Sequence, residues 1–402
     1  MKHHILTSLL IFIFTSAISQ NDTKIKGIIL DSKDNTPLEL ANIYIEKTNY
    51  GTVSNSKGQF NIIIKSIESK IGISFIGYET KIIELNNYNI HDEIVIMLNP
   101  IEEFLEEVII TNKPIYKILE NAVNVSRKKM KETAILTSYN REILKTDNDY
   151  CYFADAVSKY HIKGKGKKIK SKLELISSRI KEGMCLDSNK FIEKSPFPYN
   201  LEEFIEVPFD KNRALNSVIK ADTARYVFKI KSIRYDSIQV NKIEFKPKDT
   251  LNLKGLDVRG YAVYDDATSL ILEIFIEKAS NKKEDGTDIN IFIAEWSNLD
   301  FKQNYRFRYV DNSYYISYIM EYQKIYINNL YATKYDKTYS FFTDLTTLNY
   351  EVKSEEYEFD RYKKDFIYLN GHNYKSEFWN NVSKTESEEE ENFNLYLKTL
   401  KE

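Results

Sequence analysis

Long runs in which apolar or aromatic side chains alternate with polar ones dominate the chain beyond residue 132. A period of two places alternate side chains on the two faces of a β-strand, whereas a helical stripe needs a period near 3.6. The runs are Ala134 to Leu144, Tyr150 to Ile162, Lys172 to Lys181, Tyr226 to Tyr235, Ile238 to Phe245, Leu256 to Tyr264, Leu270 to Glu277, Ile291 to Trp296, Asn304 to Val310, Tyr314 to Tyr322 and Ile325 to Asn328. They predict a mainly β fold with a large curved antiparallel sheet, half-barrel-like, that offers a concave face to a ligand.

The amino-acid composition is that of a folded protein without a strong net charge. Of 402 residues, 42% are hydrophobic and 29% charged, which is enough apolar material for a core and excludes wholesale disorder. A chain of this length predicts two domains. The net charge is only -2, so no overall field would attract the chain to nucleic acid.

Before this region, residues 25 to 98 contain shorter strand patterns separated by turns. Apolar alternation in Ile25 to Leu30, Ala41 to Lys47 and Phe60 to Ile64 indicates strands with one buried face. Gly58 lies in a turn where a glycine adopts positive φ without steric cost. Six or seven short strands in about 75 residues, with no helical pattern, predict a small antiparallel β-sandwich.

The same residues resemble the carboxypeptidase-regulatory-like domain, a transthyretin-like β-sandwich common in envelope proteins of Bacteroidota. The resemblance lies in the segments Ile25 to Asp31, Pro37-Leu38, Ala41 to Ile43, Gly51-Thr52, Asn55 with Gly58 and Phe60, and Phe75 to Glu79. Leu40 stands where the family usually has Gly, and Ser54-Asn55 stands where Thr-Asp is common. The resemblance implies a fold for residues 21–111, and it implies no peptidase activity.

Residues 1–20 have the pattern of a secretory signal peptide. Lys2 precedes a short apolar run from Ile5 to Phe14, and Ala17-Ile18-Ser19 supplies small residues for cleavage. No later segment approaches the length of a membrane span, so we expect an exported chain, periplasmic or associated with the outer membrane. There, Cys151 and Cys185 could form a disulfide, although the compartment does not require one.

After the predicted sandwich, apolar residues between Ile115 and Met130 recur at the spacing of an α-helix, and Pro114 lies in its first turn. We therefore predict a linker helix in residues 112–132, and a curved β domain in residues 133–402 with a short helix from Phe393 to Leu400. Glu386 and Glu388 to Glu391 are predicted to form the exposed start of that last helix. An uncharacterised domain attached to this module in exported Bacteroidota proteins is similar to parts of this region, namely Ala122, Tyr139 to Glu142, Gly260 to Asp265 and Phe378 to Asn381.

No pattern in the chain indicates catalysis. His91, His161 and His372 are scattered, and the sequence has no HExxH, no G-x-S-x-G and no nucleotide-binding fingerprint. Carboxylate pairs such as Asp265-Asp266 or Glu202-Glu203 are expected by coincidence among 59 acidic residues. The sequence therefore predicts no catalytic residues, no metal ligands and no cofactor.

A lysine run is the sharpest local feature. Two glycines, Gly164 and Gly166, loosen a segment with six lysines in ten positions: Lys163, Lys165, Lys167, Lys168, Lys170 and Lys172. The run is either a solvated hairpin tip or an anion-binding loop for lipid headgroups, lipopolysaccharide or acidic glycan.

Two functions remain open at this point. The leading hypothesis is a non-enzymatic envelope protein that binds a partner protein or an amphiphilic or glycan ligand. The alternative is an envelope hydrolase that acts on glycan or peptide through unidentified carboxylates. A cleft with two carboxylates of raised pKa would favour the hydrolase, and an apolar or aromatic trough would favour binding.

Overall fold

A computed structural model describes most of the chain beyond the predicted signal peptide, which lies outside the described residues. The described ranges are 22–66, 69–101, 107–108, 113–130, 133–147, 149–165, 168–185, 200–209, 214–235, 238–248, 257–279, 289–291, 294–310, 312–329, 336–353, 358–370 and 376–400. As the sequence predicts, the fold is mainly β, with a small N-terminal sandwich and a large open sheet.

The sandwich, residues 22–101, has two sheets around its own core. Its strands are β1 (Thr23–Asp31), β2 (Asn42–Ile45), β3 (Gly51–Val53), β4 (Gln59–Ile64), β5 (Lys70–Ser74), β6 (Lys81–Glu84) and β7 (Ile94–Leu98), with a 3-10 helix η1 (Leu85–Asn87). One sheet has the order β4-β1-β7 and the other β3-β2-β5-β6. The pair β1 and β7 is parallel, so the smaller sheet is mixed rather than wholly antiparallel. Gly58 has a φ of +73°, as its turn position predicts.

Thirteen strands form the large sheet among the described residues. They are β8 (Glu107–Val108), β9 (Ala134–Thr146), β10 (Asp149–Lys165), β11 (Lys168–Glu182), β12 (Tyr226–Tyr235), β13 (Ile238–Pro247), β14 (Val258–Asp265), β15 (Ile271–Lys278), β16 (Ile289–Ile291), β17 (Ala294–Val310), β18 (Ser313–Asn329), β19 (Lys337–Val352) and β20 (Arg361–Tyr362). Their order is β20-β11-β10-β9-β19-β18-β17-β15-β14-β13-β12-β8, with β16 paired to β17. The terminal strands do not pair, so the sheet is open. A sheet of this width twists and coils instead of staying flat.

One central strand is absent from the sequence prediction. The predicted strands end at Asn328, yet β19 lies between β9 and β18 and pairs with both. The sheet is therefore not a simple meander, because β9 and β19 are about 200 residues apart in the chain. Several predicted runs are also fragments of longer strands, since β17 and β18 each contain 17 residues.

Helices cover one face of the sheet, which we call the first face. They are α1 (Ile115–Lys129), η2 (Leu201–Phe209), α2 (Ala214–Arg225) and η3 (Ile367–Asn370). Leu119, Phe204 and Val218 are buried there in the main hydrophobic core. The helix predicted as a linker thus packs on the sheet, and its Ser126 Oγ accepts a hydrogen bond from the Ile271 amide at 2.8 Å.

The opposite face, the second face, is covered by different parts of the chain. The sandwich packs on it, as do α3 (Ser376–Asn380) and α4 (Glu388–Thr399). The last helix therefore begins five residues before the predicted start at Phe393. Trp379 of α3 and Phe393 of α4 are both buried against the sheet.

Candidate functional site

One row of side chains crosses ten strands on the second face. Cross-strand neighbours in register form the sequence Arg179, Asp155, Arg141, Asp344, Met320, Asn304, Phe275, Tyr261, Glu244 and Lys229. We call this the cross-strand row. Directly opposed residues on one face lie about 4.5 to 5.5 Å apart at Cβ, so each side chain can contact its neighbours.

Alternating charges make up the first part of the row. Arg179 donates from Nε and Nη2 to the Asp155 carboxylate, each at 2.6 Å, and Asp155 is fully buried. Arg141 binds the Asp344 carboxylate in the same bidentate way, with Nε to Oδ1 at 2.8 Å. Tyr139 donates to Asp155 at 2.7 Å. Such buried pairs keep their charges only because geometry and hydrogen bonding compensate the loss of water.

The C-terminal segment covers this charged part. The Thr385 carbonyl accepts from Arg141 Nη1 at 3.1 Å, and Lys384 Nζ lies 3.8 Å from Asp155 and 3.4 Å from Glu390. Glu390 is only 3% exposed, so the prediction that the acidic stretch is an exposed helix start is wrong at this residue. Glu390 lies 4.0 Å from Arg179 and 3.4 Å from Lys384, a placement that a charge run in the sequence does not reveal.

The same segment also binds the sandwich. Ser383 Oγ accepts from the Ile63 amide at 2.8 Å, and Thr385 Oγ1 accepts from the Asn61 amide at 3.1 Å. The Asn55 side chain donates to the Glu386 carbonyl at 2.8 Å. Residues 383–386 thus follow the edge of β4 and join the sandwich to the large sheet.

A second set of contacts comes from arginines of the sheet. Arg306 Nη1 donates to the Leu40 carbonyl, and its guanidinium lies 5.2 Å from the centre of the Phe75 ring. Arg308 lies 4.0 Å from the centre of the Tyr44 ring. Leu40 itself packs with Val53 and Tyr318. These contacts hold the sandwich over the middle of the cross-strand row.

A cavity of about 230 Å³ remains where the sandwich, the sheet and the C-terminal segment meet. The Met320, Asn304 and Phe275 positions of the cross-strand row form its floor, with Tyr318 and Phe342 beside them. Asn304 is only 8% exposed, and its Oδ1 accepts no hydrogen bond from the residues that the structure describes. A buried polar atom without a partner costs stability, so the position of Asn304 Oδ1 at the cavity floor points to a ligand or to water.

Two glutamates that line the cavity, Glu39 and Glu389, have raised pKa values. Desolvation raises the pKa of Glu39, and the nearby Glu389 and Glu388 raise it further against the opposing effect of Arg306. Burial also raises the pKa of Glu389, with Arg141 opposing this shift. Glu39 and Glu388 remain exposed at the rim, whereas Glu389 is half-buried. Ionised, these side chains give the mouth of the cavity a negative potential.

A more open hollow of about 390 Å³ lies farther along the row. Phe275 lines both spaces, and the Tyr261 and Phe275 rings stack with their centres 5.5 Å apart. Lys229, Lys246 and Arg259 give this hollow a more positive lining, although Arg259 pairs with Glu277 at 2.7 Å. The row therefore passes from an acidic enclosed cavity to an aromatic open groove.

The lysine run lies far from the cavity. Its described residues lie at the end of β10 and the start of β11, where Lys163 opposes Lys170 and Lys165 opposes Lys168. Lys163, Lys170 and Lys172 are exposed, while the side chains of Lys165, Lys167 and Lys168 lie outside the described residues. Ten residues of strand separate Asp155 from Lys165, which is roughly 33 Å. Its role as an anion-binding loop stays a prediction.

Several other residues singled out from the sequence have partners among the described residues, whereas His372 lies outside them. Asp265 accepts hydrogen bonds within its own turn from Thr268, and Glu202 forms a bidentate pair with Arg361. His161 lies 2.8 Å from Glu174, and desolvation lowers its pKa. Cys151 and Cys185 form a disulfide. Where the structure describes the chain, His, Cys, Asp and Glu form no group that could hold a metal.

Family comparison supports the N-terminal part of this description. Residues 25–110, about a fifth of the chain, match the family model of the CarboxypepD_reg-like domain. No curated protein matches the chain. Among the described residues, no helix combines the length and the apolar character needed to cross a membrane.

Proposed function

We propose that this protein is a non-enzymatic binding protein of the Bacteroidota cell envelope, and that the cavity over the cross-strand row is its ligand site. One observation carries the proposal. Three separate parts of the chain enclose a space whose floor combines the apolar Met320 and the aromatic Phe275 with the polar Asn304 and Asp344, and whose mouth carries glutamates. Small binding sites typically combine such an apolar lining with a few polar groups at fixed positions.

Hydrolysis is the second candidate, because Glu39 and Glu389 have raised pKa values and line the same cavity. Acid–base cleavage needs one carboxyl as a proton donor and a second that acts on the opposite side of the bond. Asp344, the carboxylate at the cavity floor, is instead neutralised by Arg141. The raised pKa values of Glu39 and Glu389 meet the criterion for a hydrolase, whereas the apolar and aromatic side chains of Met320, Phe275, Tyr318 and Phe342 meet the criterion for binding, so a turnover measurement decides between the two.

The proposed location rests on two features. The pattern of residues 1–20 predicts export, and the Cys151–Cys185 disulfide suits an oxidising compartment. We expect the mature protein to begin within a few residues of Gln20. N-terminal sequencing of the exported protein would contradict this if it found Met1.

Filling the cavity tests the proposed site. Met320→Trp places a larger side chain at the cavity floor, where Met320 is only partly buried. Met184→Trp is the matched control, because Met184 is 65% exposed and does not line the cavity. We expect native mass spectrometry, after incubation with envelope extract, to show an adduct on the wild type and on Met184→Trp but not on Met320→Trp.

Equal adducts on the two variants, with equal melting temperatures, would show that the cavity is not the binding site. A measurement of product release from envelope glycan or peptide tests the hydrolase alternative separately. If the wild type releases products from envelope glycan or peptide, and Glu389→Gln abolishes that release while the protein stays folded, the non-enzymatic proposal is wrong.

A further inference from the structure

The charges at the cavity do not balance. Its lining contains Glu39, Asp344, Glu388 and Glu389 but only two cations, Arg141 and Lys384, and Arg306, which acts on Glu39 from outside the lining, is paired with Glu273. Both cations already have buried partners, because Arg141 is paired with Asp344 and Lys384 lies within 4 Å of Asp155 and Glu390. Among the described residues, no ion pair involves the three glutamates.

Asn304 provides an independent observation. This side chain is more than nine-tenths buried at the cavity floor, and its Oδ1 has no hydrogen-bond partner in the described part of the chain. An amide oxygen accepts hydrogen bonds and cannot donate them. The missing partner must therefore be a donor, which agrees with the negative charge at the mouth.

The shape and the remaining lining restrict the donor further. A volume of about 230 Å³ is below the range typical of drug-sized ligands, so it suits a single side chain or a small head group. Met320 and the Phe275 ring offer apolar surface to methylene groups, and aromatic faces also attract cations.

We infer that the cavity binds an aliphatic primary amine, that is, an ammonium group on a short methylene chain. The ammonium donates to Asn304 Oδ1 and is balanced by Glu389 and Glu39, while the methylene chain packs on Met320 and Phe275. Such a group occurs in the lysine side chain of a peptide and in a free diamine. The inference rests on the proposed binding function and names the chemical class of its ligand.

Calorimetric titration of the full mature chain tests the inference with two amine probes. The probes are 1,5-diaminopentane and Nα-acetyl-lysine amide, and the control ligand is the same lysine derivative acetylated at Nε. We expect at least one amine to bind and the acetylated form not to bind, because acetylation removes the positive charge. Binding of the lysine derivative alone indicates a peptide source, and binding of the diamine alone indicates a small molecule.

Three variants and one control localise the binding. Glu39→Gln and Glu389→Gln remove one charge each, and Asn304→Leu removes the acceptor without changing the net charge. Loss of a hydrogen bond to a charged group should weaken binding about tenfold. Glu93→Gln, which removes an exposed charge of the sandwich outside the cavity, should bind as the wild type does.

The inference is overturned if neither amine binds, or if folded Glu389→Gln and Asn304→Leu bind the amine as tightly as the wild type. Failure of the amine inference can be told apart from failure of the proposed binding function. If the Met320-dependent adduct from envelope extract persists while both amines fail to bind, the cavity is a binding site for a different chemistry.

Discussion

Arg306 donates a hydrogen bond to the carbonyl of Leu40, a residue held at a φ of +59°. Left-handed backbone is unfavourable for a leucine by about 1 kcal/mol or more. Leu40 is also the position at which the chain departs from the glycine usual in the family that it resembles. The leucine side chain is buried against Val53 and Tyr318, so the contact between sandwich and sheet compensates the strained backbone.

This relationship predicts that Leu40→Gly stabilises the isolated sandwich but not the full chain. In a fragment of residues 21–111, which we expect to fold alone around its own core, the glycine should raise the melting temperature by about 4 to 8 °C. In the full chain, the lost packing against Tyr318 should cancel that gain or reverse it. Asn35→Gly is the matched control, since Asn35 also has positive φ but is exposed, and its small effect should be equal in both settings. Equal stabilisation of fragment and full chain by Leu40→Gly would contradict the argument.

Asp344→Asn should destabilise the protein strongly. Asp344 is 1% exposed and neutralises the buried Arg141, so its loss leaves an unpaired charge, at a cost of about 3 to 5 kcal/mol. The paired change Arg141→Met with Asp344→Leu should cost less than Asp344→Asn alone. Urea unfolding measures the free energy of unfolding of both variants. The control is the exposed pair of Arg259 and Glu277, for which Glu277→Gln should cost less than about 1 kcal/mol. A loss below 1 kcal/mol for Asp344→Asn would exclude a central role for the charged row.

The sequence predicts the sandwich, the mainly β fold and the presence of α1, because each follows from a local pattern of a few residues. It does not predict β19, nor the pairing of β19 with β9, a strand about 200 residues earlier in the chain. The cross-strand row is hidden for the same reason. Asp155 and Arg179 look like ordinary polar positions in separate strands until the register brings them together.

Amine binding should strengthen as the pH rises above 4.5, the ordinary pKa of a glutamate, toward neutrality. Desolvation raises the pKa values of Glu39 and Glu389, so both carboxyls are partly protonated in acid and ionise as the pH increases. In the free protein, the raised pKa values mean that the protonated Glu39 and Glu389 favour the folded state at low pH, and this contribution to the free energy of unfolding declines as the two carboxyls ionise. A bound ammonium group has the opposite preference, because it stabilises the ionised carboxylates. The charged groups that face these two are Arg141, Arg306, Asp344, Lys384 and Glu388. Calorimetry across this range checks the trend, and an affinity for the amine that is independent of pH would refute it.

Changing four lysines of the run to Gln separates the two readings of that loop. The positions are Lys165, Lys167, Lys168 and Lys170. The melting temperature should hardly change, because the described lysines of this run, such as Lys163 and Lys170, are exposed. If the loop binds anions, low-salt binding to vesicles of anionic lipid or lipopolysaccharide should fall sharply, since each lysine contributes about 1 kcal/mol at such a surface.

The control for this experiment removes the same number of exposed charges elsewhere. Its positions are Lys33, Lys65, Lys128 and Lys363. Vesicle binding that is equal for the loop variant and this control would leave the lysine run as solvated surface.

Methyl NMR of methionine tests the central claim most directly. Beyond the signal peptide the chain has four methionines, which are Met97, Met130, Met184 and Met320. Met320 lines the cavity, Met130 is buried in the first-face core and Met184 is exposed. During titration with soluble envelope extract, we predict a saturable shift of the Met320 methyl signal and no shift of the Met130 signal. A Met320 signal that stays in place, while the extract shifts other methionines or none, would contradict a ligand site in the cavity.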